Sequence, residues 1–283
     1  MERETSPKGF QIVSAKIPIF LALMRIEELR PHEEIVEQDL KGIIHTLNRD
    51  PVLRHPIIAD STSGAVLDGT HRLAALSKLG CLTIPAALLD YQNPLIKIDQ
   101  WYRVFDGMNT ERFMRDLSLL ATPLSPSEAD RSLLDRKGYA SIRDDQSCFL
   151  FTSKETSALE LCRKAFRLEE IGRDKGLKIT YTDTEDPQRL SNKSFAMSTI
   201  RLEKREVVAG CRDHILFPPK STRHIIPSRP LGINTPLELL KDPQIPRAED
   251  KFEQHLRSKK IRHLPEGSWV GSRRYMEEVF LFE

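Results

Sequence analysis

An α/β (α+β) fold in two domains is what this sequence predicts, on three observations. Short apolar runs of strand length alternate with stretches of helical period, clusters of Gly, Pro, Asn, Asp and Ser separate them, and no repeat or low-complexity tract interrupts the pattern. With 283 residues the chain can bury one large core or two modest ones, and its 39% hydrophobic and 30% charged residues are the make-up of a globular protein. A boundary after residue 106 is expected, giving a first α/β domain over 1–106 and a second within 107–283.

Residues 1–16 are polar and without period, so an irregular arm is expected there. Apolar residues from Lys16 to Leu29 fit a strand and then a turn, and Pro31 marks a boundary, because proline disfavours helix before it and tolerates helix after it. Ile35, Val36, Leu40, Ile43, Ile44 and Leu47 then fall at helical spacing over 34–48. Glu33 is thereby set at or just before a helix N-terminus, where the dipole favours a carboxylate. Short strands at 56–59 and 65–67 are joined by Asp60-Ser61-Thr62-Ser63-Gly64, the composition of a hairpin turn. A helix over 70–79 stops at Gly80. The run 82–90 predicts a strand, and Pro85 within it predicts an edge position or a bulge, since proline cannot donate to a ladder. The aromatic, β-prone segment 99–105 closes the first domain.

Beyond it, helices are expected within 111–121 and 126–136, the second with Ser125 as N-cap and Pro126 as first helical residue. Strands follow at 148–151, 177–181 and 195–202, with a helix over 158–171 and a short one near Val207 and Val208. The loop 218–227 is bracketed by prolines and dense in polar donors. A helix-like 235–241, a charged stretch 242–260 and a β-like Val279-Phe280-Leu281-Phe282 complete the chain.

The charge balance, 43 Lys+Arg against 41 Asp+Glu, gives no electrostatic argument for a nucleic-acid or membrane partner. DNA is therefore an unexpected ligand. Four scattered cysteines show no metal or redox spacing, which predicts reduced structural thiols. The apolar run 17–24 is too short to span a bilayer, so a cytoplasmic protein is expected. Oligomeric state is not legible.

One stretch carries chemistry. In Asp68-Gly69-Thr70-His71-Arg72 an apolar run ends in Asp-Gly and a helix begins at once, so backbone N–H groups without helical partners, a guanidinium and an imidazole meet at one point. Anions bind at such helix starts. The same residues also read as an N-cap, a turn glycine and a solvated first turn.

The order Leu29-Arg30-Pro31-His32-Glu33, helix, Pro56-Ile57-Ile58, Val66-Leu67-Asp68-Gly69-Thr70-His71-Arg72, helix, Ile84-Pro85-Ala86 resembles the ParB/sulfiredoxin-like superfamily over residues 25–105. In that superfamily the Gly-x-x-Arg turn holds nucleotide phosphates. Sulfiredoxins carry a cysteine where Thr70 stands, and ParB proteins follow a Glu-Arg-Arg type of turn with a helix-turn-helix that has no convincing counterpart in this sequence. The free L-serine kinases, SerK of archaea and the related bacterial SbnI proteins, are similar along most of the chain. Their likeness takes in Pro31-His32-Glu33, Asp68-Gly69-Thr70-His71-Arg72, Trp101-Tyr102, Pro218-Pro219-Lys220-Ser221-Thr222-Arg223-His224 and Arg274-Tyr275-Met276-Glu277-Glu278-Val279-Phe280-Leu281. Archaeal members usually carry a second histidine where Thr70 stands.

This resemblance implies a ParB/sulfiredoxin-like N-terminal domain, with a second, smaller α/β domain contributing the loop 218–227. It implies transfer of a phosphoryl group from ATP or ADP to the hydroxyl of free L-serine, giving O-phospho-L-serine. Glu33 would accept the hydroxyl proton, with Asp68 and His71 as further catalytic residues. Gly69, Thr70, His71 and Arg72 would hold the phosphates and Asp68 a Mg²⁺ ion. Trp101, Ser221, Thr222, Arg223 and His224 would read serine, Arg223 through its carboxylate. Trp101 reads equally as a core aromatic, and Asp68 as a cap. The alternative is a nucleotide-gated regulatory switch.

Overall fold

A computed structural model of the protein describes residues 8–13, 16–115, 117, 120–184, 190, 191 and 193–283. The chain forms two compact units. One takes residues up to Lys97 together with Val207–Leu216 and His224–Glu283, and the other takes Ile98–Glu206 and Phe217–Arg223.

In the first unit a five-stranded sheet runs in the order Gly9–Ile12, Ile19–Arg25, Thr83–Leu89, Ile57–Asp60, Val66–Asp68. Only Ile57–Asp60 and Thr83–Leu89 pair in parallel. All seven positions of Thr83–Leu89 are buried, which explains its near-continuous apolar sequence. Pro85 therefore lies in the central strand, a correction to the edge expected of it. The parallel ladder on one side begins only at Ala86, opposite Ile57, so the missing N–H of Pro85 falls just outside it. The predicted hairpin is present, with a register shift between Ile58 and Ala59. Asp60 ties its turn: the carboxylate accepts from the Ser63 N–H and hydroxyl on one oxygen and from the Tyr91 N–H on the other.

The helix Glu37–Arg49 buries Leu40 and Leu47, and Thr70–Lys78 buries Leu73, Ala75 and Leu76. The C-terminal segment adds a second sheet, in which Glu278–Phe282 pairs in parallel with Ser228–Leu231 and antiparallel with Ile261–Leu264. Two expectations are corrected here. The arm contains the strand Gly9–Ile12, paired with Ile19–Arg25, and the charged stretch is largely the helix Ile245–Arg257, which buries Ala248, Phe252 and Leu256.

The second unit is built on a six-stranded antiparallel sheet in the order Lys178–Thr182, Tyr102–Asp106, Ser194–Thr199, Ala140–Arg143, Cys148–Phe151, Ala121–Pro123. Because Tyr102–Asp106 pairs on both sides within this sheet, the chain enters the second unit before the boundary expected after 106. Phe105 and Phe195 stack with centroids 4.7 Å apart, and Phe113 closes the cluster. The helix Ala158–Asp174 packs so tightly on Phe105 that a Cβ at Gly172 would meet the ring at 2.5 Å. Ser125 is the expected N-cap of Pro126–Leu134, and the structure adds a capping box with Glu128. Of the helix expected within 111–121, the described residues form Thr110–Arg115, and Ala121–Pro123 joins the sheet. All four cysteines are buried and unbridged.

Candidate active site

The Asp-Gly turn is closed by packing. Gly69 has φ +107°, and a Cβ there would meet the Ile57 side chain at 2.5 Å and the Arg72 guanidinium at 2.9 Å. Only glycine fits that approach with that backbone. Thr70–Lys78 starts here with no side-chain cap, and its first i to i−4 bond runs from the Leu73 N–H to the Gly69 carbonyl. The helix start is thus shaped as an anion would need it.

The side chains of the turn are placed differently from the expectation. Arg72 donates to the carbonyls of His55 and Pro56 and to Asp68 Oδ1, so its fork braces the turn against the strand beside it rather than standing ready for phosphate. His71 Nε2 accepts the Val36 N–H at 3.0 Å. Val36 is the N-cap of Glu37–Arg49, so this bond clasps the segment carrying Glu33 to the turn. Glu33 itself lies more than a residue ahead of the helix, a correction to its expected place at the N-terminus. Its side chain is 17% exposed, with Oε1 3.8 Å from Nε2 of the buried His32.

Asp68 departs furthest. Oδ1 takes Arg72, Oδ2 takes Arg229, and Arg229 also donates to Glu277 at 2.7 Å. Burial alone would push the carboxyl up, but Arg229 and then Arg72 outweigh it and hold Asp68 well below the usual carboxylate range. With a guanidinium on each oxygen, Asp68 does not fit the Mg²⁺ ligand expected of it. Among the described residues no group of three or more His, Cys, Asp or Glu could hold a metal ion.

His224 lies in the same unit, its ring edge-on to His32 with centroids 5.2 Å apart and its Nε2 2.7 Å from the Tyr91 hydroxyl. Trp101, Ser221, Thr222 and Arg223 belong to the other unit. There the Arg223 guanidinium lies 5.7 Å from the Trp101 ring centroid and donates to Asp183 at 3.3 Å. Ser221 is buried and spends its hydroxyl on the Pro218 carbonyl at 2.7 Å, and Thr222 is 6% exposed.

No family model matches the chain. The ADP-dependent L-serine kinase SerK of Thermococcus kodakarensis is 24% identical over 235 residues, 77% of this chain and 91% of its own. The ATP-dependent L-serine kinase SbnI of Staphylococcus aureus is 24% identical over 271 residues, 93% of this chain and 97% of its own. The chain is SerK/SbnI-like. The fold agrees: a C-terminally truncated SbnI from Staphylococcus aureus superposes with a TM-score of 0.68 at 20% identity, over 84% of this chain and 95% of that one. A free serine kinase in complex with AMP superposes with a TM-score of 0.66 at 21% identity, over 84% and 98%.

Sequence reasoning missed Arg229 and Tyr91 and gave Glu277, quoted only within the family likeness, no role; their partners are distant in sequence. The Asp68 pairing has a measurable consequence. A carboxyl lowered in the folded state stabilises fully above its ordinary pKa of about 4, and that stability is lost as pH falls below it. Water reaches 37% of the Asp68 side chain, so screening reduces the effect. The stability gap between the protein and Asp68→Asn should accordingly narrow between pH 5 and pH 2, followed by urea denaturation. A gap constant across that range would show that Asp68 is not held ionised by its arginines.

Proposed function

We propose that the protein is a free L-serine kinase, transferring a phosphoryl group from ATP or ADP to the serine hydroxyl and releasing O-phospho-L-serine. One observation carries this reading: the bond from the Val36 N–H to His71 clasps the segment bearing a sheltered carboxylate, Glu33, to a glycine-opened helix start. Phosphoryl transfer asks a protein for positioning, neutralisation of phosphate charge and an acceptor for the hydroxyl proton. Backbone N–H groups of residues 70–72 and the Thr70 hydroxyl are assigned to the phosphates, with Arg72 and Arg229 supplying positive charge behind them. Glu33 takes the serine proton as the serine oxygen bonds to phosphorus and the nucleotide leaves one phosphate shorter. Of the residues the resemblance assigns to serine, His224 lies in the same unit as Glu33. Mg²⁺ enters with the nucleotide, and no protein ligand is assigned to it.

Incubation with serine and Mg²⁺-loaded ATP or ADP, read by mass spectrometry, should give O-phosphoserine in equal amount to the shortened nucleotide. Nucleotide turnover indifferent to serine would overturn the kinase reading in favour of a switch.

A further inference from the structure

The arginines that touch the Gly69 turn are already matched by acids. Arg72 and Arg229 share Asp68, and Arg229 also holds Glu277, so two guanidiniums stand against two carboxylates and their charges cancel. A nucleotide brings several negative charges to such a turn, and the helix start answers with only partial ones. The same unit carries a further guanidinium beside this network. Trp269–Val270 and Arg273–Arg274 form a tight hairpin across Gly271 and Ser272, with Gly271 at φ +60°. Val270 and Arg273 are partners in its register and so share a face. On that face Val270 packs on the cluster of Leu231, Tyr275 and Val279, and the Arg273 guanidinium lies 4.7 Å from the Tyr275 ring centroid. The cluster ties the hairpin to the turn: Leu231 follows Arg229 by two on Ser228–Leu231, Glu277 follows Tyr275 by two, and Val279 pairs with Arg229. Burial raises the Asp68 carboxyl, and Arg273 is among the cations that outweigh it, after Arg229 and Arg72. Arg274 spends its Nε on the Gly267 carbonyl at 3.0 Å, whereas among the described residues no hydrogen bond or ion pair engages the exposed Arg273.

We infer that Arg273 is a nucleotide-binding residue of this site, its guanidinium pairing with phosphate oxygens of the nucleotide held at the Gly69 turn. The inference deepens the kinase reading and rests on its placing of nucleotide at that turn. A guanidinium presents a rigid fork of donors that matches two phosphate oxygens at once. The Tyr275 ring holds this one from the side without taking up a donor. Phosphate that pairs with Arg273 breaks no existing ion pair. Recruiting Arg72 or Arg229 instead would pull a partner away from Asp68 and leave that carboxylate poorly compensated.

Titration of the full chain with ADP, in the absence of serine, tests this contact apart from turnover. Arg273→Gln should weaken ADP binding on the order of tenfold, and Arg273→Lys should recover part of the loss, because the charge returns without the fork. Adenosine, which carries no phosphate, should bind the native protein and Arg273→Gln alike. The exposed position predicts an unchanged melting temperature. In turnover the KM for nucleotide should rise while the KM for serine stays nearly constant. An ADP affinity unchanged in Arg273→Gln would overturn the inference, as would a loss shared equally by adenosine or one that accompanies a lowered melting temperature. Absence of O-phosphoserine from the native protein would instead reject the kinase reading, while the ADP titration still decides the contact.

Discussion

Glu33→Gln lowers the rate of O-phosphoserine formation by on the order of 10²-fold or more while leaving nucleotide affinity intact, if Glu33 is the proton acceptor. The amide keeps the shape of the side chain and cannot take the proton. The substitution spares the neighbouring helix. The helix after Glu33 begins at Glu37 with Val36 as N-cap, so the change does not strip a carboxylate from a helix terminus. Nor does it touch the clasp between the Val36 N–H and His71, which should keep the Gly69 turn in place. Nucleotide titration together with single-turnover kinetics measures both halves of the expectation. Full activity in the variant would reduce Glu33 to a loop charge and leave the transfer without an assigned base.

The parts of the fold and of the site that were legible in the sequence are local ones. Asp-Gly before a helical period, the hairpin composition at 60–64 and the Ser125-Pro126 start each encode their backbone in a few adjacent residues, and each is present. Ile245–Arg257 escaped because its buried residues, Ala248, Phe252 and Leu256, form a narrow stripe at every fourth position among charges. Pro85 misled because a local rule about missing donors cannot know that the parallel ladder starts one residue later. Electrostatics was the least legible layer. Asp68 looked like a cap or a metal ligand, and its actual partner Arg229 is 161 positions away. Arg72 looked like a phosphate fork, yet two backbone carbonyls from the adjoining segment claim it. A motif thus located the turn correctly, whereas the use of each side chain depended on what the fold brought against it.

The same dependence governs the loop Phe217–Arg223, and it yields the largest stability effect expected in the molecule. Glu169 is wholly buried on Ala158–Asp174 and accepts from Arg103 Nε at 2.8 Å, Arg173 at 2.9 Å and the Tyr181 hydroxyl at 2.6 Å. Arg103 uses its remaining donors on the Trp101 carbonyl, the Thr199 hydroxyl and, at 3.0 Å, the carbonyl of Lys220, a residue held at φ +63°. One buried carboxylate therefore fixes the guanidinium that fixes the loop. Removing it in Glu169→Ala leaves Arg103 buried without its counter-charge, which should cost about 3–5 kcal/mol in urea denaturation. Adding Arg103→Met should return much of that stability, because the stranded charge goes with it. The loop would not recover in the double variant, since the bond to Lys220 is still missing, so a raised serine KM should persist after stability is regained. A cost below about 1 kcal/mol for Glu169→Ala would show that water reaches the pair as it does at a surface. A serine KM that returned to normal along with stability would free Lys220 from any part in presenting Thr222 and Arg223.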